Sequence, residues 1–519
     1  MPSKLLTPAQ AASLIRDGDT VAILGSGGGV AEPTRLLRAL RTRFLQEGHP
    51  RDLTLLHTTG LGDRRRVDAS PVEATELLIG TDLLALPGLV RRDIAGHLGM
   101  SPRTARMILA DEIESYNFPQ GVLTQMMTAI ASRKPGVFTK VGLYTYIDPR
   151  VQGGRMNAVT TRDLVRVEEL DGEEWLFFPR MHIDVALVRG TTADTKGNIA
   201  SEQEPALLDG LAMAQAARAC GGIVVAQVKR RVEAGTLDPR DVRIPGVVVD
   251  HVVVDPNQRQ TCLDVYQPAF SGEIRMAPAQ LPALPLDARK VIARRAAQEL
   301  APGAVVNLGV GMPSGVASVA TEQGLIDQLT FTVEHGPVGG MPAGGVVFGV
   351  AYNPEAIMPQ DRQFAFYDGG GIDVAFLGMA QFDAKGNVNV SKVGDMLAGC
   401  GGFINISQNA KKVVFCGTLT TKGLRCEVGE GRLAIGQEGS IGKVVQRVDQ
   451  ITFSGAYARA AGQDVLYVTE RAVFELTSEG VVLCEIAPGV DLERDVLAQM
   501  AFQPILAEPL RTMDAELFT

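Results

Sequence analysis

Ile183-Asp184-Val185-Ala186-Leu187, followed by Asp194-Thr195-Lys196-Gly197-Asn198-Ile199, returns later in the chain as Ile372-Asp373-Val374-Ala375-Phe376, followed by Asp383-Ala384-Lys385-Gly386-Asn387-Val388. Both blocks repeat at one offset of 189 residues (372 against 183, 383 against 194), which chance rarely supplies twice. Gly222-Ile223-Val224-Val225-Ala226 resembles Lys412-Val413-Val414-Phe415-Cys416 at an offset of 190. The beginnings of the copies also match: Val21-Ala22-Ile23-Leu24-Gly25-Ser26-Gly27 parallels Val305-Val306-Asn307-Leu308-Gly309-Val310-Gly311 at an offset of 284. The first copy therefore holds about 95 more residues than the second, the difference between 284 and 189. They are assigned to an insertion over about 82–149, where helical patterns such as Arg103 to Tyr116 dominate.

Outward from the repeat, Val21–Leu24, Leu53–His57, Val185–Val188, Ile223–Val228, Val305–Leu308, Leu329–Val333, Val374–Leu377 and Val413–Cys416 are short, β-rich apolar runs. Continuous apolar runs of this length, separated by helical patterns, read as strands buried on both faces of a parallel sheet. The fold class expected is α/β: two tandem, related, open α/β domains with largely parallel sheets and a helical insertion in the first. Pro278, Pro282 and Pro285 block both helix and central strand, so 276–287 reads as a linker between a domain at 1–275 and another at 288–519. Asp287 is placed to N-cap a helix running about Ala288 to Leu300.

Composition excludes several classes. Of 519 residues, 45% are hydrophobic and 21% charged, normal for a globular protein with a large core. The net charge of −9 and the lack of a basic stripe argue against a nucleic-acid partner. Arg64-Arg65-Arg66, the densest basic cluster, reads as a solvated loop. No run of 18 apolar residues exists, so no membrane span is expected. The six cysteines form no CxxC pair and have no His at ligand spacing, so neither a metal nor a disulfide framework is expected. Scattered reduced thiols and a charged N-terminus without an apolar core fit a cytoplasmic protein.

Four stretches carry possible chemistry. Gly309-Val310-Gly311-Met312-Pro313 follows an apolar strand, where glycines let backbone N–H groups approach an anionic ligand. Neither it nor Gly25-Ser26-Gly27-Gly28-Gly29 completes a dinucleotide fingerprint, since Ser314 stands where a third glycine is required. In Phe331-Thr332-Val333-Glu334-His335-Gly336 a carboxylate ends a strand, the place where open α/β sheets bind ligands. Aligning Gly60 with Gly336 puts Thr58 opposite Glu334, so the acid exists in one copy only. His335 and Glu334 are neighbours on an extended chain and are expected to point apart. Gly399-Cys400-Gly401-Gly402-Phe403-Ile404-Asn405-Ile406 reads as a glycine turn before an apolar strand. Asn117-Phe118-Pro119-Gln120-Gly121 reads as a turn with an amide free to donate.

Together these motifs resemble family I CoA-transferases, most nearly the fused single-chain acetate or propionate CoA-transferase group. The likeness rests on Thr332-Val333-Glu334-His335-Gly336 with Gly309-x-Gly311 upstream, and on Asp373 to Gly378 with Asn387 to Lys392. Asn117 to Gly121 and Gly401 to Ile406 complete it, over about Gly18 to Pro488. Many two-subunit relatives carry Ser-Glu-Asn-Gly at the nucleophile; Val-Glu-His-Gly here departs from that form. The resemblance implies a CoA-transferase fold and ping-pong transfer of CoA from a short-chain acyl-CoA to an acid such as acetate. It implies that Glu334 is the catalytic nucleophile, carried as a γ-glutamyl-CoA thioester. Gly309, Val310, Gly311, Met312, Pro313, Gly401 and Gly402 are the candidates for CoA contact or oxyanion stabilisation, with Gln120, Gly27 and Gly28 in the substrate pocket. It implies no cofactor, acyl-CoA and carboxylic acids as partners, and a homodimer or homotetramer. An acyl-CoA hydrolase using the same Glu334 is the competing reading.

Overall fold

Each of the eight apolar runs is a strand of one of two sheets. The computed structural model describes residues 4–64, 78–277 and 284–519. The proposed linker 276–287 is thus described only at its ends; Pro278 and Pro282 lie outside the described residues, as do Arg65 and Arg66. The first sheet contains β1 (Thr20–Ile23), β2 (Leu53–His57), β3 (Val90–Ala95), β4 (Glu114–Asn117), β5 (Val185–Arg189), β6 (Ile223–Val228) and β7 (His251–Val254). Their order is β7-β6-β5-β1-β2-β3-β4, and every pairing is parallel. The stretch read as a helical insertion carries helices Pro102–Leu109 and Gln120–Ala131, and it also supplies β3 and β4.

The second sheet has ten strands. They are β8 (Val305–Leu308), β9 (Thr330–Thr332), β10 (Pro337–Val338), β11 (Ala356–Ile357), β12 (Val374–Gly378), β13 (Lys412–Cys416), β14 (Asp464–Val468), β15 (Ala472–Leu476), β16 (Val481–Ile486) and β17 (Ile505–Thr512). The order is β11-β10-β9-β8-β12-β13-β14-β15-β16-β17. β9 to β14 pair in parallel through β8, β12 and β13, and antiparallel strands extend both sides. Successive side chains in a strand leave on opposite faces. Accordingly Val374, Phe376, Val414 and Cys416 pack into one core, and Ala375, Leu377, Val413 and Phe415 into another. Burial on both faces is why these strands read as unbroken apolar runs.

The duplication is visible bond by bond, and it corrects two offsets. Thr20 N–H donates to Asp184 Oδ2, and Val305 N–H donates to Asp373 Oδ2, both at 2.8 Å. Leu24 N–H reaches the Leu187 carbonyl as Gly309 N–H reaches that of Phe376. Thr20 is therefore the counterpart of Val305, an offset of 285 rather than 284. Val185 pairs with Ile223 as Val374 pairs with Lys412, which restores the third block to 189 rather than 190. Runs apolar on both faces offer no alternation to fix register, so a one-residue slip passes unnoticed in sequence. The Asp-x-Lys-Gly-Asn blocks form one turn twice. Asp194 Oδ1 accepts from the amides of Lys196 and Asn198, and Asp383 Oδ1 from those of Lys385 and Asn387. Gly197 and Gly386 take φ of +85° and +77° in that turn, a conformation that glycine adopts without strain.

Asp287 caps its helix as expected, accepting from Lys290 N–H, and the helix runs Ala288–Ala297. The turn between β14 and β15 is held by Arg471, whose side chain is fully buried. It bonds Glu470 at 2.6 Å, Glu438 at 2.7 and 3.1 Å, and the Asp495 carbonyl at 3.0 Å. Removing one partner of a buried ion network leaves the others charged and uncompensated. Arg471→Ala is expected to lower unfolding free energy by about 3–5 kcal/mol, read by denaturant titration.

Candidate active site

The C-terminal ends of both sheets face one cavity of about 230 Å³. Strand ends and turns of the first half contribute Ser26, Gly27, Gly60, His97 and Gln120; the second contributes Asn307 to Val310, Glu334, His335, Leu377 and Gly378. Each group follows a parallel strand, where the outward fanning of the chain at the sheet's carboxyl edge leaves a crevice.

Glu334 lies two residues past the end of the short strand β9 and is 7% exposed. Its Oε2 has no partner among the described residues. Burial pushes its carboxyl up to about 7, against which its own backbone amide and the Asn307 side chain pull down. Asn307 is itself fixed, donating to the Thr332 carbonyl at 3.2 Å and the Tyr367 hydroxyl at 3.4 Å. The counterpart alignment stands: Thr54 pairs with Thr20 as Thr330 pairs with Val305, so Thr58 is opposite Glu334. Thr58 is buried, donates to Asp209 at 3.3 Å and is not among the lining residues.

His335 departs from its expectation. It lines the same cavity as Glu334. Both lie beyond the last paired residue of β9, in a turn closed by Gly336 N–H on the Val333 carbonyl, so strand alternation does not apply to them. His335 Nε2 lies 2.7 Å from Ser26 Oγ, across the two halves. Burial, then the neighbouring His97, lower the His335 pKa to about 3. His97 is lowered to about 4, by burial first and then by Arg64 and His57. Sequence gave no sign of His97 or of the Ser26 pairing, since both depend on chain segments far apart.

Two glycine motifs meet here. Asn117 Nδ2 donates to the carbonyls of Ala95 and Gly96, and its Oδ1 accepts from Cys400 N–H at 2.8 Å and from the Tyr146 hydroxyl. Gln120 N–H donates to the Gly401 carbonyl, and Gly121 N–H to Asn405 Oδ1. The stretch Phe403–Asn409 is a helix, not the strand expected; a short apolar run does not distinguish the two. Gly401 N–H is committed to the Gly96 carbonyl at 2.7 Å and Gly309 N–H to that of Phe376 at 2.8 Å. Among the described residues, no bond occupies Val310 or Gly402 N–H. Gly309, Val310, Gly401, Gly402, Gln120 and Gly27 line the cavity. Gly311, Met312, Pro313 and Gly28 do not: Met312–Ser314 turns away into a 3₁₀ segment, and Gly28 packs under the Val346 carbonyl. Gln120 Nε2 is buried without a partner among the described residues. Arg64, read as solvated, is exposed and also edges the cavity.

Among the described residues, no cluster of three His, Cys, Asp or Glu could hold a metal, and no helix is long and apolar enough to cross a membrane. The arrangement is a sequestered carboxylate between two loops with free amides, suited to attack on a carbonyl carbon.

Comparison with known proteins agrees. A family model described as Coenzyme A transferase matches residues 5–255. Caffeate CoA-transferase of Acetobacterium woodii is 45% identical, covering 100% of this chain and 98% of that protein. Acetate CoA-transferase YdiF of Escherichia coli K12 is 44% identical, over 99% and 95%. The crystal structure of the acyl-CoA transferase YdiF of E. coli O157:H7, a thioester complex with CoA, superposes with a TM-score of 0.93 at 42% identity, covering 100% and 96%.

Proposed function

The chain belongs to the coenzyme A transferase family, and on that premise we propose that it moves CoA from a short-chain acyl-CoA to a carboxylic acid such as acetate through a thioester on Glu334. The observation that carries this is the buried Glu334 carboxylate, with Oε2 unpartnered, in the cavity between the two halves. The carboxylate attacks the acyl-CoA carbonyl, expelling CoA thiolate and leaving a mixed anhydride. The thiolate then attacks the Glu334 carbonyl and releases the acid. An incoming acid retraces both steps. No proton is gained or lost overall, and no cofactor is consumed; CoA thioester is a substrate.

Each addition places negative charge on a carbonyl oxygen, which fixed N–H donors stabilise. In this reading the Val310 and Gly402 amides are those donors, because the neighbouring Gly309 and Gly401 amides are spent within the fold. One such donor is typically worth about 2.7–4 kcal/mol. Met100, Val346, Phe348, Phe403 and Ile406 line the same space and discourage water, to which both intermediates are labile. The relatives' names carry caffeate and acetate at nearly equal identity, so the choice of acid rests on these side chains. The same reading makes residues 1–275 the α-type unit and 288–519 the β-type unit with the nucleophile, in keeping with a family match that stops at residue 255. It includes a cytoplasmic location, which six free cysteines fit, and a homo-oligomer.

Incubation with acyl-CoA, quenching and peptide mass spectrometry tests it. CoA is expected on the peptide holding Glu334, and borohydride is expected to convert that residue to its alcohol. Turnover with an unmodified Glu334 peptide, or with CoA on another residue, overturns the reading.

A further inference from the structure

Ser26 and His335 come from opposite halves and meet in the cavity, and neither has a part in the steps above. Ser26 follows β1, is 3% exposed, and donates its own amide to the Val30 carbonyl at 2.8 Å. Its Oγ lies 2.7 Å from His335 Nε2. The imidazole is clamped. Gly349 packs so closely that a side chain there would sit 2.7 Å from Nδ1, and Phe348 meets the ring edge-on at 6.4 Å and 83°.

A buried imidazole with so low a proton affinity is neutral and carries one N–H. His335 Nδ1 has no partner among the described residues. A proton there would be a buried donor without an acceptor, which folded proteins rarely tolerate, whereas a bare ring nitrogen is the lesser loss. With the proton on Nε2, the imidazole donates to Ser26 Oγ. The Ser26 hydroxyl hydrogen is then turned away from the ring, and both side chains line the space that holds Glu334.

We propose that the Ser26 hydroxyl, oriented by His335, donates to the carboxylate of the incoming acid and so forms part of the acid subsite. The proposal rests on the Glu334 thioester reading. In the step concerned, an acid oxygen forms a C–O bond to the Glu334 carbonyl carbon as the C–S bond breaks and CoA leaves as thiolate. The thiolate then attacks the substrate carbonyl of the anhydride, and Glu334 departs as carboxylate. Throughout, the acid approaches a buried site as an anion. Among the described lining residues Arg64 is the one cation, and it is exposed. A neutral hydroxyl donor holds the anion without drawing off the electron density with which it attacks, as a contact ion pair would. Ser26 touches substrate in this account and is a catalytic residue; His335 is a positioning residue.

Ser26→Ala, His335→Ala and the double variant test this by steady-state transfer, with free CoA added as a dead-end inhibitor. The KM for the acid is expected to rise about 10- to 100-fold in Ser26→Ala, the range for a hydrogen bond to a charged group. Because one half-reaction is read in both directions, kcat/KM for an acyl-CoA and for its own acid fall together. The inhibition constant of free CoA stays within about twofold. The double variant is expected to be no worse than the worse single one, since the two residues act as a unit. An unchanged acid KM in Ser26→Ala, additive losses in the double variant, or a weakened CoA inhibition constant with unchanged acid KM each overturn the assignment. If His335→Ala does not fold, Ser26→Ala alone decides. Mass spectrometry of Glu334 in Ser26→Ala runs in parallel: CoA found there keeps the thioester reading in place whatever the acid constants do.

Discussion

Glu334→Ala and Glu334→Gln are expected to lower CoA transfer by at least about 10⁴-fold, the scale of loss when a covalent nucleophile is removed. No neighbour replaces it: the counterpart position in the first half is Thr58, hydrogen-bonded to Asp209 and not among the cavity's lining residues. The Gln variant carries a second expectation, in stability. The Glu334 carboxyl is raised from 4.5 to about 7 in the fold, chiefly by burial. A group of this kind binds its proton more tightly folded than unfolded. The stability it confers is complete below about pH 4.5 and is lost as pH rises through about 7. Above that, the ionised side chain costs on the order of 3 kcal/mol. Glu334→Gln keeps the shape and discards the charge, so its melting temperature should exceed that of the parent at pH 8. The two should converge near pH 4. A Gln variant that retains transfer, or that melts below the parent at pH 8, sinks the assignment of a buried, ionisable nucleophile.

The parts of this molecule that sequence disclosed are those with a local chemical signature. Strands buried on both faces announce themselves as unbroken apolar runs, and all eight are present. The Asp-Lys-Gly-Asn turns announce themselves because an Asx turn needs Asp at its start and glycine at a positive φ. Glu334 stood out as a charge at the end of an apolar strand. What stayed hidden depends on register or on segments meeting from afar. The two offsets slipped by one residue for want of alternation. Ile404 and Ile406 read as strand although Gly402 opens a helix. His335 was judged by strand geometry in a place where the strand had already ended. Its contact with Ser26 spans 309 positions, and no spacing rule reaches that far. The commitment of Gly309 and Gly401 amides to backbone carbonyls, which leaves Val310 and Gly402 free, is likewise a property of the assembled sheets.

The pH dependence of catalysis follows from the same buried carboxyl. On the proposed mechanism attack requires Glu334 as its anion, and kcat/KM for acyl-CoA reports the free enzyme. With the carboxyl near 7, the ionised fraction falls tenfold for each unit below that value, so kcat/KM at pH 5 should be about 100-fold below its plateau above pH 8. Among the described residues, no other lining group competes for this limb. His335 and His97 are held down to about 3 and 4, and stay neutral across the range. The acid substrate's own titration does not enter, because kcat/KM for acyl-CoA covers only the half-reaction that precedes acid binding. The raised proton affinity also serves the chemistry, since a carboxylate deprived of solvent is a stronger nucleophile than a hydrated one. A variant that lets water reach Glu334 should therefore move the limb toward 4.5 and weaken the attack together. A flat kcat/KM from pH 5 to 8 in the parent enzyme would show Glu334 to be hydrated, and the sequestered nucleophile on which transfer over hydrolysis depends would be lost with it.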